Sequence, residues 1–172
     1  MIEQLLKDRY SVRDYSDQPI EKEKLETIFQ AAQAAPSAVN KQPVKVLVIE
    51  SEPAKEKLRS VTPMLFNAPM ALLVGFDDRL SAKGAGIGEP DLDLGEHDAV
   101  IAGDHMMLQA ADLGLGTVWV RGFNKDAIKE VLNLDQHFQP VLLLPIGYPS
   151  QNSKPNPMHF KNRPVEEMIE VL

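Results

Sequence analysis

A layered α+β or α/β domain is the fold class that the sequence predicts, and three observations predict it. Apolar runs of strand length stand at Val44–Ile49, Met70–Phe76 and Val141–Ile146. Stretches of helical period stand before the first run, at Glu21–Ala35, and between the last two, at His97–Leu113. Helices and strands alternate, but without a strict strand–helix–strand rhythm, and such elements bury their apolar faces by stacking in layers.

In chain order, Ile2–Lys7 is a short helix. Glu21–Ala35 is a strong one, because Leu25, Ile28, Phe29, Ala32 and Ala35 share a face at 3.6-residue spacing and Pro36 stops it. Val44–Ile49 is a strand, and Ser51 stands where the N-cap of a helix Glu52–Val61 is expected. Met70–Phe76 reads as a buried strand. Asp77–Glu96 is a long Gly- and acid-rich segment without a clear period, of the kind that forms lids or binding loops. His97–Leu113 is apolar around much of its circumference, so it is expected to be buried on several sides, and Gly114 ends it. Gly116–Val120 is a short strand, Asn124 caps a helix Lys125–Leu132, and Val141–Ile146 is another buried strand. Pro149–Arg163 carries Pro149, Pro155 and Pro157 and reads as an extended arm. Pro164–Val171 is expected to be a terminal helix with proline at its first position.

Composition narrows the function. Residues 1–172 are expected to form one domain, since a chain of this length buries roughly 70% of its unfolded surface without disulfides or a structural metal. A net charge of −7 disfavours a general nucleic-acid binder, which needs a basic face. With no cysteine, disulfide scaffolds, thiolate zinc sites and thiol nucleophiles are excluded. Met1–Asp14 mixes charges among few apolar residues and holds no signal-peptide core, and the longest apolar runs fall far short of a membrane span. A cytoplasmic protein is expected. The histidines do not suggest a metal: His97 and His105 are eight residues apart, and Asp91–Gly95 lacks the third ligand of a calcium loop.

Four short segments carry the chemistry. Arg9-Tyr10-Ser11-Val12-Arg13 places two guanidiniums and a hydroxyl in five residues, a group that can grip a phosphate, although a solvated basic turn has the same composition. Ala35-Pro36-Ser37-Ala38-Val39-Asn40-Lys41-Gln42-Pro43 offers neutral donors and acceptors suited to a polar ring or polyol, and is equally a helix stop and turn. Leu113-Gly114-Leu115-Gly116-Thr117-Val118-Trp119 follows a helix and has Trp119 where a dinucleotide fingerprint needs its third glycine, so it is not that motif. Gly84-Ala85-Gly86-Ile87-Gly88 fails the same pattern. Lys161-Asn162-Arg163 adds two cations, which also read as a solvated pair.

Together, and in this order, these segments resemble the FMN-dependent nitroreductase family over nearly the whole chain. Arg9–Arg13 resembles the family's Arg-x-Ser-x-Arg/Lys motif, and Ala35–Pro43 its Ala-Pro-Ser-x-x-Asn-x-Gln-Pro motif. Asp98–Ala102 through Trp119 resembles its central helix and following strand, and Ile146–Pro149 with Lys161–Glu167 its C-terminal end. The resemblance implies an α+β fold with a mixed β-sheet flanked by helices, and a homodimer with FMN at the subunit interface. It assigns Arg9, Ser11, Lys161 and Arg163, with Tyr10 between them, to the phosphate and ribityl chain. Arg13 goes to the N1/O2 edge of the ring. Pro36, Ser37, Ala38 and Asn40 come from the partner subunit, and Thr117, Val118, Trp119, Arg121 and Gly122 lie near the N5/O4 edge.

The activity it implies is a ping-pong oxidoreduction, with NADH or NADPH as donor and a nitroaromatic, quinone or flavin as acceptor. No protein nucleophile or general base is then required, because the cofactor carries the hydride chemistry. The alternatives are a specialised relative, flavin-fragmenting or dehalogenating, and a non-catalytic FMN-binding or storage protein. Dehalogenating members use a lid tyrosine, and Tyr10, Tyr15 and Tyr148 all fall outside Asp77–Glu96. The sequence departs from the family at Tyr10, often Arg or His, at Val44, often aromatic, and at Arg121, which is Glu in some members.

Overall fold

In the computed structural model, which describes residues 2–84 and 88–172, four strands form one sheet in the order β1-β2-β4-β3. The strands are β1 (Val44–Ile49), β2 (Met70–Asp77), β3 (Gly116–Thr117) and β4 (Phe138–Gly147). The helices are α1 (Ile2–Asp8), α2 (Lys22–Gln33), α3 (Glu52–Arg59), α4 (Gly95–Asp112) and α5 (Lys125–Leu132). The named strands pair antiparallel, and the one parallel contact among the described residues is the Ser11–Thr117 bridge. The mixed character of the sheet therefore rests on the N-terminal segment.

Strand alternation sorts the core into two layers. Met70, Leu72, Val74 and Phe76 of β2, with Leu142, Leu144 and Ile146 of β4, pack on Ile28 of α2 and on Ala99, Met106 and Ala110 of α4. Ala71, Leu73 and Leu143 face the other way, onto Leu58 of α3 and Ile128 of α5. Helix α4 thus lies against the sheet with α2 beside it, as its apolar circumference predicts.

Several boundaries differ from the sequence expectation. Helix α2 stops at Gln33 rather than Ala35, because the residue before Pro36 is disfavoured in helical geometry. Ser51 occupies the N-cap position of α3 but makes no side-chain cap, and the helix closes at Arg59. The expected strand Gly116–Val120 pairs only at Gly116 and Thr117, then rejoins β4 through a bridge between Val120 and Leu143. Strand β4 runs longer than Val141–Ile146 and absorbs two prolines. Pro140 sits at a register shift that leaves Val141 without an opposite residue on β2. The expected helix Pro164–Val171 is absent: a 3-10 turn covers Val165–Glu167, and the rest of the tail is irregular and exposed. Within Asp77–Glu96, Lys83 bridges to Asp93, and the failed glycine fingerprint at 84–88 lies partly outside the described residues.

Candidate functional site

The N-terminal segment after α1 is extended, so its side chains alternate. Val12 is buried with Tyr15 and Ala68, and Tyr10 packs on the same cluster. Ser11 and Arg13 have the opposite parity and line an open cleft. The segment is fixed at several points. The Val12 amide donates to the Thr117 carbonyl at 3.0 Å. A Cβ on Gly116 would lie 2.5 Å from Cγ2 of Val12, so that position requires glycine. Gly114, at φ +78°, makes the left-handed turn out of α4 that brings Gly116 there. The Tyr15 hydroxyl donates to the Val12 carbonyl at 2.7 Å, with the Pro145 carbonyl 3.1 Å away. Burial pushes the Tyr15 phenol above its ordinary range, so it stays a donor.

The arm that follows β4 forms the opposite wall. The Tyr148 hydroxyl donates to Glu21 at 2.6 Å and accepts from Lys24 at 2.7 Å, joining the start of the arm to α2. This hydrogen bonding lowers the Glu21 pKa and raises that of Lys24. The arm then meets the N-terminal segment at Tyr15–Pro149, Asp14–Ser150, Tyr10–Ser153 and Lys7–His159. Between the two segments lie adjoining hollows of about 400 and 330 Å³, both lined by Ser11, Arg13 and Asn156. His159 lines the first, and Asn152, Ser153 and Lys154 line the second. Arg13 donates to the Ser11 carbonyl at 3.2 Å and makes no other hydrogen bond among the described residues. Two cations, hydroxyls and amides, beside one carboxylate, Asp14, that accepts from Asn67 and Ser150, line the cleft, a donor-rich set that fits an anionic, hydroxylated chain such as a ribityl phosphate.

The remaining predicted residues are distributed as follows. Arg9 and Tyr10 line a smaller hollow of about 180 Å³ with Gly116, Thr117 and Pro149, on the side toward α1. Thr117 and Val118 are buried, so they present backbone only, while Trp119 is half-buried against the α2/α4 layer. Arg121 donates to the Val141 carbonyl and pairs with Glu96 at 2.6 Å, and the Gly122 carbonyl accepts from Thr62 at 3.0 Å. Lys161 and Arg163 lie on the exposed tail, where Arg163 pairs with Glu167 at 3.2 Å. Lys154, Asn156 and His159 were not singled out in the sequence. Their signal was the arm expected at Pro149–Arg163, which is not extended throughout: it turns at 151–152 and winds into a 3-10 helix at Pro157–Phe160 that carries His159, with Asn156 as its N-cap.

Pro36 and Ser37 stand apart from this cleft. They edge an apolar groove of about 330 Å³ that includes Phe29, Ala32, Val44 and Val46. The loop from Ser37 to Gln42 is strained: Val39, Asn40 and Gln42 have φ of 44°, 57° and 50°. Left-handed geometry costs about 1–3 kcal/mol at a non-glycine residue, most at a β-branched one such as Val39. Ala38 at the start of this loop donates its amide to Oδ1 of Asp98 on α4 at 2.9 Å.

Comparison with known proteins adds the following. The model of the nitroreductase family matches residues 6–62 and 56–148. A Bacillus subtilis protein named FMN reductase (NAD(P)H) is 33% identical over 168 residues, covering 88% of this chain and 67% of its own length. A solved nitroreductase family protein of Clostridium difficile 630 superposes with a TM-score of 0.87 at 37% identity, over 97% of this chain and 95% of that one. One from Clostridium novyi NT gives a TM-score of 0.79 at 30% identity, over 88% and 86%.

Proposed function

This chain belongs to the nitroreductase family, and we propose that it is an FMN-dependent oxidoreductase that uses NADH or NADPH to reduce an electron-poor acceptor such as a nitroaromatic, a quinone or a flavin. The observation that carries this reading is the cleft between Ser11–Arg13 and the arm, with its cations and polar walls. Bound FMN supplies the hydride-accepting and hydride-donating centre, so the protein's task is to bind, orient and tune.

Ser11 and Lys154 offer donors to the polyol and phosphate, and Arg9 adds charge from the neighbouring hollow. Lys161 and Arg163 would add charge for the phosphate from the exposed tail, where Arg163 would have to exchange its pairing with Glu167. Arg13 supplies a fixed cation for the N1/O2 edge, where negative charge develops on reduction. The segment Thr117–Gly122 offers backbone near N5/O4. Its conformation is held by the hydrogen bonds of Arg121 to the Val141 carbonyl and of Thr62 to the Gly122 carbonyl.

A homodimer completes the proposal. Large apolar residues are exposed on α1 (Ile2, Leu6), on α4 (Val100, Ile101) and along the tail (Met168, Ile169, Val171, Leu172), side chains that a second copy would cover. Pro36–Asn40 lies away from its own chain's cleft, as expected of a segment that serves a second copy.

The test is titration with FMN followed by anaerobic NADH or NADPH and an acceptor panel. We expect about one FMN per chain, bleaching of the visible flavin band by a nicotinamide, and repeated turnover. A chain that takes up no FMN overturns the family-based reading. Bleaching without turnover reassigns the protein to flavin storage.

A further inference from the structure

Asp98 is 3% exposed, and its Oδ2 is buried without a hydrogen-bond partner. A buried carboxylate with an idle oxygen is costly, and apolar replacement of such groups commonly stabilises a core. Its place in the first turns of α4 offsets part of that cost through the helix dipole, but gives no reason for a carboxylate to be there.

The reason lies in what Oδ1 holds. It accepts the Ala38 amide at 2.9 Å. The other hydrogen bonds of residues 37–42 stay inside the loop: Asn40 amide to Ser37 carbonyl, Lys41 amide to Ala38 carbonyl, Gln42 amide to Ser37 Oγ and Gln42 Nε2 to Asn40 Oδ1. Among the described residues, Asp98 alone ties this loop to another element through a hydrogen bond. The loop contains three left-handed non-glycine residues within four positions, and the strained Val39 side chain is 80% exposed. Strain of that kind persists only where the surroundings over-determine it.

We propose that Asp98 is a positioning residue that clamps the strained Ser37–Gln42 loop to the core helix, in the conformation that presents Ser37, Ala38 and Asn40 to the flavin of a second copy. This rests on the flavin-site reading above. The carboxylate acts through the Ala38 amide and needs no contact with the cofactor.

The experiment compares wild type, Asp98→Ala and Asp98→Asn in the full-length chain by amide hydrogen exchange of the apoprotein and by FMN affinity. Asp98→Ala should speed exchange at Ala38, Asn40 and Lys41 and raise the FMN Kd by roughly tenfold, the change that corresponds to about 1.4 kcal/mol. Asp98→Asn keeps the acceptor oxygen, so it should restore both readouts to near wild type without lowering Tm. If Asp98→Ala fails to fold, Ala38→Pro removes the donor instead. Ser37, at φ −133° and ψ 154°, already has the conformation that a following proline requires. Exchange is then read at Asn40 and Lys41.

Unchanged loop exchange in Asp98→Ala overturns the clamp. Faster exchange with wild-type FMN affinity overturns its service to the flavin, and an Asp98→Asn variant as impaired as Asp98→Ala overturns the hydrogen-bond mechanism. A wild-type chain that binds no FMN sinks the functional reading and the ligand half of this proposal, while the exchange data still decide the clamp.

Discussion

Among the described residues Arg13 makes one hydrogen bond, to the Ser11 carbonyl, and its exposed side chain lines the cleft with donors to spare. In the proposed site the flavin N1/O2 edge lies beside this side chain, and a cation in that position would stabilise the reduced anionic flavin more than the neutral oxidised form. Arg13→Ala should therefore lower the midpoint potential of bound FMN by a few tens of millivolts, about 30 mV for each 1.4 kcal/mol in a two-electron couple. Spectroelectrochemical titration reads this, and an unchanged potential with a large loss of oxidised-FMN affinity would move Arg13 to the phosphate. Ser11 and Arg13 were legible in the sequence because alternate residues of an extended chain share a side, whereas Arg9, bonded through its amide to the Leu5 carbonyl at the end of α1, lines the neighbouring hollow instead. The same parity turns Tyr10 inward, where it packs on the Val12–Tyr15 cluster, a result that residue type alone does not reveal. The anchoring of Arg121 was illegible for another reason. It depends on Glu96, 25 residues away, and on the Val141 carbonyl at the register shift.

Two elements match their expected limits, while α2, α3 and α4 shift by one to two residues at their ends. Strand β1 and helix α5 have the expected boundaries, and Asn124 caps α5 by accepting from the amides of Asp126 and Ala127 at 2.9 and 3.0 Å. Asn124→Ala leaves those amides without that acceptor and should cost about 1 kcal/mol of stability. Urea denaturation would show it as a lower midpoint at unchanged slope, and an unshifted midpoint would mean that water replaces the cap at no cost. Where the sequence misled, the deciding partner was distant. Strand β4 extends past the expected start because β2 offers a ladder out to Asp77, and its Pro140 is tolerated at the shift beside Val141. The tail Pro164–Val171 has helical composition, but its residues stay exposed rather than packed on the domain, and an isolated helix of that length is marginal.

Across the whole molecule, the two layers of helices bury the sheet faces, yet Val165, Met168, Ile169, Val171 and Leu172 are each more than 60% exposed. Removing residues 165–172 should weaken self-association, and because the proposed flavin sites draw on two copies, FMN affinity should fall with it. Sedimentation of the truncated chain measures this, and an FMN-loaded dimer as stable as the full-length one would reject a role for the tail in assembly. Among the described residues strand β1 ends the sheet, and its outer edge has no partner strand there. Its run Val-Lys-Val-Leu-Val-Ile holds one charge, Lys45, between Pro43 and Glu50. Runs of this type stack into cross-β aggregates when newly made chains display them. Pro43, Lys45 and Glu50 are of the residue types that interrupt such stacking, so replacing them with apolar residues should raise the aggregated fraction of newly made protein, read by the split between soluble and pelleted chain.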